Sequence, residues 1–218
     1  MKKAIICFTR VPRAGQTKTR LLPILTPEQC AGLHWVFLKD LSHVYRWVEA
    51  DLFVAYTPDP GWVQLKGIFP TATDFFPQSG DGLGEKMDHA IQNVLALGYD
   101  AVVLTGTDLP LMTATHLESG FAALESSDLV IGPTADGGYY LVGAKQPCTP
   151  IFVGQRYGGA SVYENTLSAA RAAGFTVGTA LSCGDVDTPE DLRQLALLAH
   201  PESHTGRYLE TLRKDGIL

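Results

Sequence analysis

The feature that most constrains this chain is an alternation, along nearly its whole length, of short apolar runs with helix-start signals. Ala4 to Phe8 is an apolar run closed by a loop, which predicts a buried first strand. Leu52 to Thr57 predicts a second, and Ala101 to Thr105 a third. The third is continuous in apolar character, as expected of a strand central in a parallel sheet. Leu129 to Ile131 and Tyr139 to Val142 predict two more, joined by a glycine-rich stretch, and Phe175 to Leu181 a last one. Between them, Thr26-Pro27-Glu28-Gln29 opens a helix, with Thr26 as N-cap, proline first and glutamine completing a capping box. Cys30, Leu33, Phe37, Leu41, Val44 and Val48 then form one apolar stripe. Met87, Ala90, Ile91, Val94 and Leu95 mark a helix beginning near Gly84. Ser161-Val162-Tyr163-Glu164 reads as another capping box, opening a helix to Gly174. Thr188-Pro189-Glu190 opens a helix from Asp191 to Ala199, and Pro201 begins a tail with room for one more. Strands alternating with helices predict a three-layer α/β/α sandwich. No linker or repeat divides residues 1–218, so a single domain is expected, with a core over about 4–199 and a tail over about 200–218.

Charge excludes several classes of function. The 218 residues carry 17 Lys and Arg against 23 Asp and Glu, a net charge of −6 that argues against a nucleic-acid protein. No apolar run approaches the roughly 18 residues that would span a bilayer. Lys2 and Lys3 resemble the start of a secretion signal, but Arg10 ends the apolar stretch too early. A cytoplasmic protein is expected. Cys7, Cys30, Cys148 and Cys183 include no close pair, and read as reduced apolar fillers rather than metal ligands. The sequence carries no signal of an oligomeric state.

The charge is unevenly spread. Through Pro27 there are six basic residues (Lys2, Lys3, Arg10, Arg13, Lys18 and Arg20) and no acid; the remainder holds 11 basic residues and all 23 acids. A positive loop on an acidic body suits a compact anion such as a polyphosphate. In that loop Gly15 allows backbone amides to approach an anion, and Lys18 and Arg20 supply charge and a planar fork. The Gly-Lys-Ser/Thr signature of a Walker loop is absent.

Three further loops carry chemistry. Gly106-Thr107-Asp108-Leu109-Pro110 follows the third strand, where a carboxylate can help to hold Mg²⁺ beside substrate phosphates. Asp136-Gly137-Gly138-Tyr139-Tyr140 combines two glycines, an acid and an aromatic face suited to a ring or sugar. Asp185-Val186-Asp187 precedes a helix that Thr188 caps unaided, leaving two acids, two residues apart, to face a common cation. Each loop alone also has a plainer explanation, as a solvated terminus, a turn, a hairpin or a helix start. In an open α/β sheet, however, loops after strands gather at one edge.

Lys18-Thr19-Arg20-Leu21, Gly106-Thr107-Asp108-Leu109-Pro110, Asp136-Gly137-Gly138-Tyr139 and Asp187-Thr188-Pro189-Glu190-Asp191-Leu192, in this order, resemble the glycosyltransferase-A, or nucleotide-diphospho-sugar transferase, superfamily. Within it the chain is most similar to the bacterial DUF2064 transferases. Gln78-Ser79-Gly80 and Leu83-Gly84-Glu85-Lys86-Met87 match their Gln-x-Gly…Leu-Gly-x-Arg-Met segment, with Lys86 in place of arginine. The likeness spans roughly residues 4–195. It implies a mostly parallel sheet with one strand reversed, and a first loop that holds a nucleotide. Arg10, Gly15, Lys18, Arg20 and Gly84 are then the nucleotide-binding candidates. Asp108 and Asp187 would hold a divalent cation, Mg²⁺ or Mn²⁺, with Asp185 as the next candidate. Asp108 and Asp136 would be the catalytic acids, and Gly137, Gly138 and Tyr139 would face the second substrate.

The resemblance has departures. The Leu-Ala-Gly-Gly opening of molybdopterin nucleotidyltransferases and the Gly-x-Gly-x-Arg of sugar nucleotidylyltransferases are missing. Phospholactate guanylyltransferases share the Lys-Thr-Arg-Leu loop but usually carry Gly-Thr-Asn where this chain has Gly137-Gly138-Tyr139. Asp108 lies outside any Asp-x-Asp pair. The first expectation is therefore a metal-dependent transferase moving a sugar from a nucleotide-diphospho-sugar to a small-molecule acceptor. The alternatives are a nucleotidyltransferase joining a nucleoside triphosphate to a phosphorylated small molecule, and a nucleotide-binding module without turnover.

Overall fold

The apolar runs pair into one seven-stranded sheet. The computed structural model describes residues 1–218. Its strands are β1 (Lys3–Thr9), β2 (Asp51–Tyr56), β3 (Asp74–Pro77), β4 (Ala101–Thr105), β5 (Leu129–Pro133), β6 (Tyr139–Ala144) and β7 (Val177–Thr179). The helices are α1 (Pro27–Tyr45), α2 (Leu65–Ile68), α3 (Leu83–Leu95), α4 (Ala114–Ser126), α5 (Val162–Ala172), α6 (Pro189–Leu198) and α7 (His204–Lys214). The strand order is β3-β2-β1-β4-β6-β5-β7, and only β6 runs against the others. From β1 the chain winds outward to β3, then returns to place β4 on the other side of β1. The strand order thus reverses between β1 and β4, the place where open α/β sheets bind ligands.

Burial explains why the central strands lack polar alternation. On β1, Ile5 and Cys7 pack under α1 and α4, while Ala4 and Ile6 pack under α3 and α5. β4 is buried in the same way on both faces. It is central as expected, and the one reversed strand is its neighbour: it runs parallel to β1 but antiparallel to β6. The tight turn from Thr134 to Gly138, where Thr134 N–H donates to Gly138 O at 3.1 Å, sends β6 back between β4 and β5.

A third apolar cluster lies outside the sheet. It joins Leu21 and Leu25 of the basic loop to Leu33 and Phe37 on α1, Val186 before α6, and Leu209 and Leu212 on α7. This cluster fixes the basic loop against the acidic segment. The tail is the helix α7, docked on α1 through Asp40, whose carboxylate accepts from His204 and Thr205 N–H at 2.9 and 2.8 Å. All four cysteines are buried and unpaired. No helix is long and apolar enough to cross a membrane.

Several elements differ from expectation. Helix α4 carries no sequence cap of the usual kind, because the partner of Thr113 is the His116 ring, which accepts from Thr113 N–H at 3.1 Å. α2 and β3 are short and also lay unseen. The Ser161 capping box does not form: the Ser161 hydroxyl accepts from the Asn165 side chain at 3.3 Å. The first turn of α5 is held by backbone instead, with Tyr163 N–H donating to Gly137 O at 2.9 Å. The last strand shrinks to Val177–Thr179 at the sheet edge.

The two caps legible in sequence do form, at α1 and α6. At α6 Thr188 Oγ1 accepts from Asp191 N–H at 3.2 Å, while Asp191 accepts from Thr188 N–H at 2.7 Å and Asp187 N–H at 3.1 Å. The Thr188→Ala variant is expected to lose about 1 kcal/mol of stability, read as a lower urea midpoint at unchanged m.

Candidate active site

At the carboxyl ends of β1, β4 and β5 lies a cavity of about 710 Å³, within the usual range for a small-molecule site. Four cations (Arg10, Lys18, Arg20, Lys86) and four acids (Asp108, Asp136, Asp185, Asp187) line it, so their formal charges cancel.

Lys18 is the hub. It is the only residue other than glycine with a left-handed backbone, at φ 52°, a conformation that costs about 1 kcal/mol or more for a side-chain-bearing residue. That conformation precedes a single 3₁₀ turn, Thr19–Leu21, and the ammonium is only 3% exposed. Its Nζ donates to Val186 O at 2.6 Å, pairs with Asp108, lies 3.7 Å from Asp187, and sits 5.2 Å from the centre of the Phe37 ring. Arg20, 67% exposed, pairs with the other oxygen of Asp187 at 2.7 Å. Val186 N–H donates to Asp108 O at 2.9 Å, joining the loop after β4 to the acidic segment.

The acids are held in different states. Burial is the largest single influence on Asp108 and opposes its ionisation, but the surrounding positive groups, Lys18 foremost, together outweigh it and hold the carboxyl below its ordinary value. Asp185 moves the other way: burial raises it, and the neighbouring Asp187, Asp136 and Asp108 raise it further. Asp136 is held low, first by the Thr134 hydroxyl that donates to it, and also by Gly138 N–H at 3.0 Å. No three His, Cys, Asp or Glu side chains converge closely enough to form a ready-made metal cage.

Among the residues singled out in the sequence, Arg10, Lys18, Arg20, Asp108, Asp136, Asp185, Asp187, Gly138 and Tyr139 line the cavity. Gly15, Gly84 and Gly137 do not. Gly15, at φ 74°, makes an exposed turn. Gly84 lets α3 approach the loop after β6, since a Cβ there would lie 2.7 Å from Phe152 O and 2.9 Å from the Tyr157 hydroxyl. Gly137, at φ 87°, is closed off by Ala160 O, 2.0 Å from a Cβ position. A Cβ on Gly138 would meet Thr134 and Asp136 at 3.1 and 3.2 Å rather than open space. The two glycines therefore build the turn and do not leave room beside it.

Other residues of the site were not among the candidates, although Gln78 opens the Gln-x-Gly match. Gln78 ties three strand ends: its Nε2 donates to Thr9 O at 2.9 Å and Ala55 O at 3.0 Å, and its Oε1 accepts from the Thr57 hydroxyl at 3.0 Å. Arg13 and Asp59 form a two-pronged ion pair between the basic loop and the loop after β2. His34, on α1, is 3% exposed beneath the cavity. Its hydrogen-bond partners fix its tautomer. The Thr9 hydroxyl donates to Arg10 O at 3.1 Å, so it accepts from the Thr107 hydroxyl, 3.4 Å away. Thr107 has then used its proton, and must accept from His34 Nε2–H at 3.3 Å. Nδ1 is left as a buried lone pair without a partner.

Residues 40–159 match the DUF2064 family, described as an uncharacterized protein conserved in bacteria. The chain belongs to this family. The DUF2064 protein is 28% identical, over 93% of its length and 88% of the relative's, to the 2-phospho-L-lactate guanylyltransferase of Methanothermobacter thermautotrophicus. It is 27% identical, over 88% and 92%, to the phosphoenolpyruvate guanylyltransferase of Sphaerobacter thermophilus. Among solved structures, a protein of Desulfovibrio desulfuricans G20 described as a nucleotide-diphospho-sugar transferase superimposes with a TM-score of 0.91. It shares 32% identity and covers 100% of this chain and 97% of its own. The family and fold implied by the motifs are therefore the ones found, and the chain is a transferase.

His34 supplies a pH test. Burial pushes its pKa from 6.5 down to about 4. Above pH 6.5 both folded and unfolded states hold it neutral. As pH falls from 6.5 towards 4 the unfolded chain takes up a proton that the folded chain refuses, so stability is lost across that window, by about 3 kcal/mol in full. His34→Gln keeps a donor towards Thr107 and cannot titrate. Its melting temperature is expected to fall less than wild type's between pH 6.5 and 4, and parallel curves would show His34 to be charged in the fold.

Proposed function

We propose that the protein is a nucleotidyltransferase that joins a nucleoside triphosphate to a phosphorylated small molecule. The observation that carries this reading is the likeness to two guanylyltransferases over about nine-tenths of the chain, in a protein whose cations and acids meet in one cavity. In the proposed reaction an oxygen of the acceptor's phosphate attacks the α-phosphorus of the triphosphate. The bond from the α-phosphorus to the bridging oxygen breaks, and pyrophosphate leaves. An acceptor phosphate is already ionised near neutral pH, so no side chain has to remove a proton. This agrees with an Asp136 held low and committed to its turn. Its role in this reading is to shape the loop that faces the acceptor.

Arg20 and Lys18 would bind the triphosphate, with Arg10 beside them. Charge arithmetic supports a divalent cation: the side chains of the cavity already cancel, and a triphosphate adds about four negative charges. Asp108, Asp187 and Asp185 fit as its holders, because Asp185 is a carboxyl raised by its acidic neighbours and has no cation of its own. Mg²⁺ or Mn²⁺ there would offset negative charge on the phosphates as the pyrophosphate departs. Lys18 holds oxygens of two of these acids, so its ammonium would exchange a carboxylate for a phosphate when the site is loaded. Four buried, unpaired cysteines suit a cytoplasmic enzyme.

The test uses the full chain with GTP, Mg²⁺ and either 2-phospholactate or phosphoenolpyruvate. Pyrophosphate in step with acceptor consumption is expected, and chelation stops it. Release of a nucleoside diphosphate from a sugar nucleotide, with no pyrophosphate from GTP, would favour glycosyl transfer and overturn this reading. In the same assay Asp108→Asn is expected to lose about 100-fold or more in rate, measured at a temperature where the variant is folded, since removing this partner of the buried Lys18 ammonium also lowers the melting temperature. Arg20→Ala, at an exposed position that leaves Asp187 near Lys18, is expected to weaken GTP binding about tenfold by calorimetry.

A further inference from the structure

The cavity has two chemically different ends. The basic loop and the acids form one. On the α3 and α5 side the wall is apolar, built from Phe8 at the end of β1, Leu83 and Met87 on α3, Tyr139 at the start of β6, Tyr157 in the following loop, and Val162 at the start of α5. Lys86 is the one cation on this wall. The tyrosines are arranged, not merely present. Their rings meet edge to face, 6.5 Å apart at 79°, and the Tyr139 hydroxyl donates to the Tyr157 hydroxyl at 3.5 Å. Gly84 is what allows the Tyr157 ring to lie against α3, since any side chain there would strike its hydroxyl. Leu83, in the first turn of α3, keeps 46% of its surface exposed where it lines the cavity.

A three-carbon phospho-acid has one methyl or methylene group to bury. Phe8, Leu83, Tyr139 and Tyr157, partly exposed on four separate segments and backed by the buried Met87 and Val162, offer more apolar surface than that group can cover. We infer that the acceptor is a phosphorylated acid carrying an apolar body about the size of a phenyl ring, seated against this wall. The inference rests on the nucleotidyl-transfer reading and goes beyond it, because the charged end serves any phosphorylated acceptor while the apolar end selects among them. The edge-to-face tyrosine pair suits a planar ring, which meets one aromatic face and one aromatic edge.

Two acceptors that differ only in body test the inference: 2-phospholactate and 2-phospho-3-phenyllactate, with GTP and Mg²⁺. The phenyl compound is expected to show a kcat/KM about tenfold or more higher. Leu83→Glu, at an exposed helix position, places a carboxylate on the wall and is expected to bring the ratio of the two towards one. Val162→Trp, which fills the space, should do the same, and an unchanged melting temperature shows either variant to be folded. Equal or reversed kcat/KM values in wild type overturn the apolar subsite while leaving nucleotidyl transfer standing. If neither acid releases pyrophosphate, the nucleotidyl reading fails. Calorimetry of the two acids, read without turnover, then still judges the subsite: tighter binding of the phenyl compound supports it, and equal binding refutes it.

Discussion

The site depends on one buried ammonium group. Taking Lys18 out of water costs several kcal/mol unless partners surround it, and here they come from three parts of the chain: Asp108 after β4, Val186 O and Asp187 before α6, and the Phe37 ring on α1. Lys18 reaches them only because its own backbone is left-handed and because Leu21 and Leu25, just beyond, are clamped into the third apolar cluster. Packing and charge thus do separate jobs. The cluster sets the distance between the basic and acidic segments, and the ammonium keeps two carboxylates from repelling each other across it. An arginine would not substitute well, since a planar fork cannot converge on three oxygens from one point.

Topology decides why these segments meet at all. β1 and β4 are neighbours in the sheet though distant in the chain, and the reversal of strand order between them opens the crevice. The reversed β6 then brings the turn from Thr134 to Gly138 to the same edge, where a wholly parallel sheet would have carried its start to the other side. α5 is tied to that turn by Tyr163 N–H and Gly137 O, and Ala160 packs on Gly137. That side of the cavity is consequently built as one unit from the turn and the start of α5.

How much of this could be read from the sequence follows from the range of the interactions. Strands buried on both faces write continuous apolar runs, and caps at Thr26 and Thr188 write their partners three residues away, so those elements were legible. α4 was not, because a histidine ring serves where Glu or Gln usually does. The gathering of the loops after strands was legible from strand alternation, and Arg10, Lys18, Arg20, Asp108, Asp136, Asp185 and Asp187 do share one cavity. What Lys18 touches was not legible, since its hydrogen-bond and ion-pair partners lie 90 or more residues away and nothing local encodes them. The glycines misled for a related reason. A glycine marks close approach of something, and at positions 84 and 137 that something is the protein's own backbone and Tyr157, not a ligand.

The buried polar residues that were not singled out as candidates share a further property: they join strand ends to one another. Gln78 links β1 and β2 with the loop after β2, and the chain from His34 through Thr107 to Thr9 links α1, β4 and β1. Gln78 spends its side-chain hydrogen bonds on protein, as does His34 apart from its buried Nδ1 lone pair, and each holds a segment of the cavity wall. Rigidity at the carboxyl edge is what the proposed nucleotidyl transfer would require, because in phosphoryl transfer a protein contributes mainly positioning and fixed charge. In that reaction an error of about 1 Å between the basic loop and the acidic segment would misalign the attacking and leaving oxygens together. The polar struts, the third apolar cluster and the Lys18 hub converge on that one distance, and the apolar wall lies beyond it.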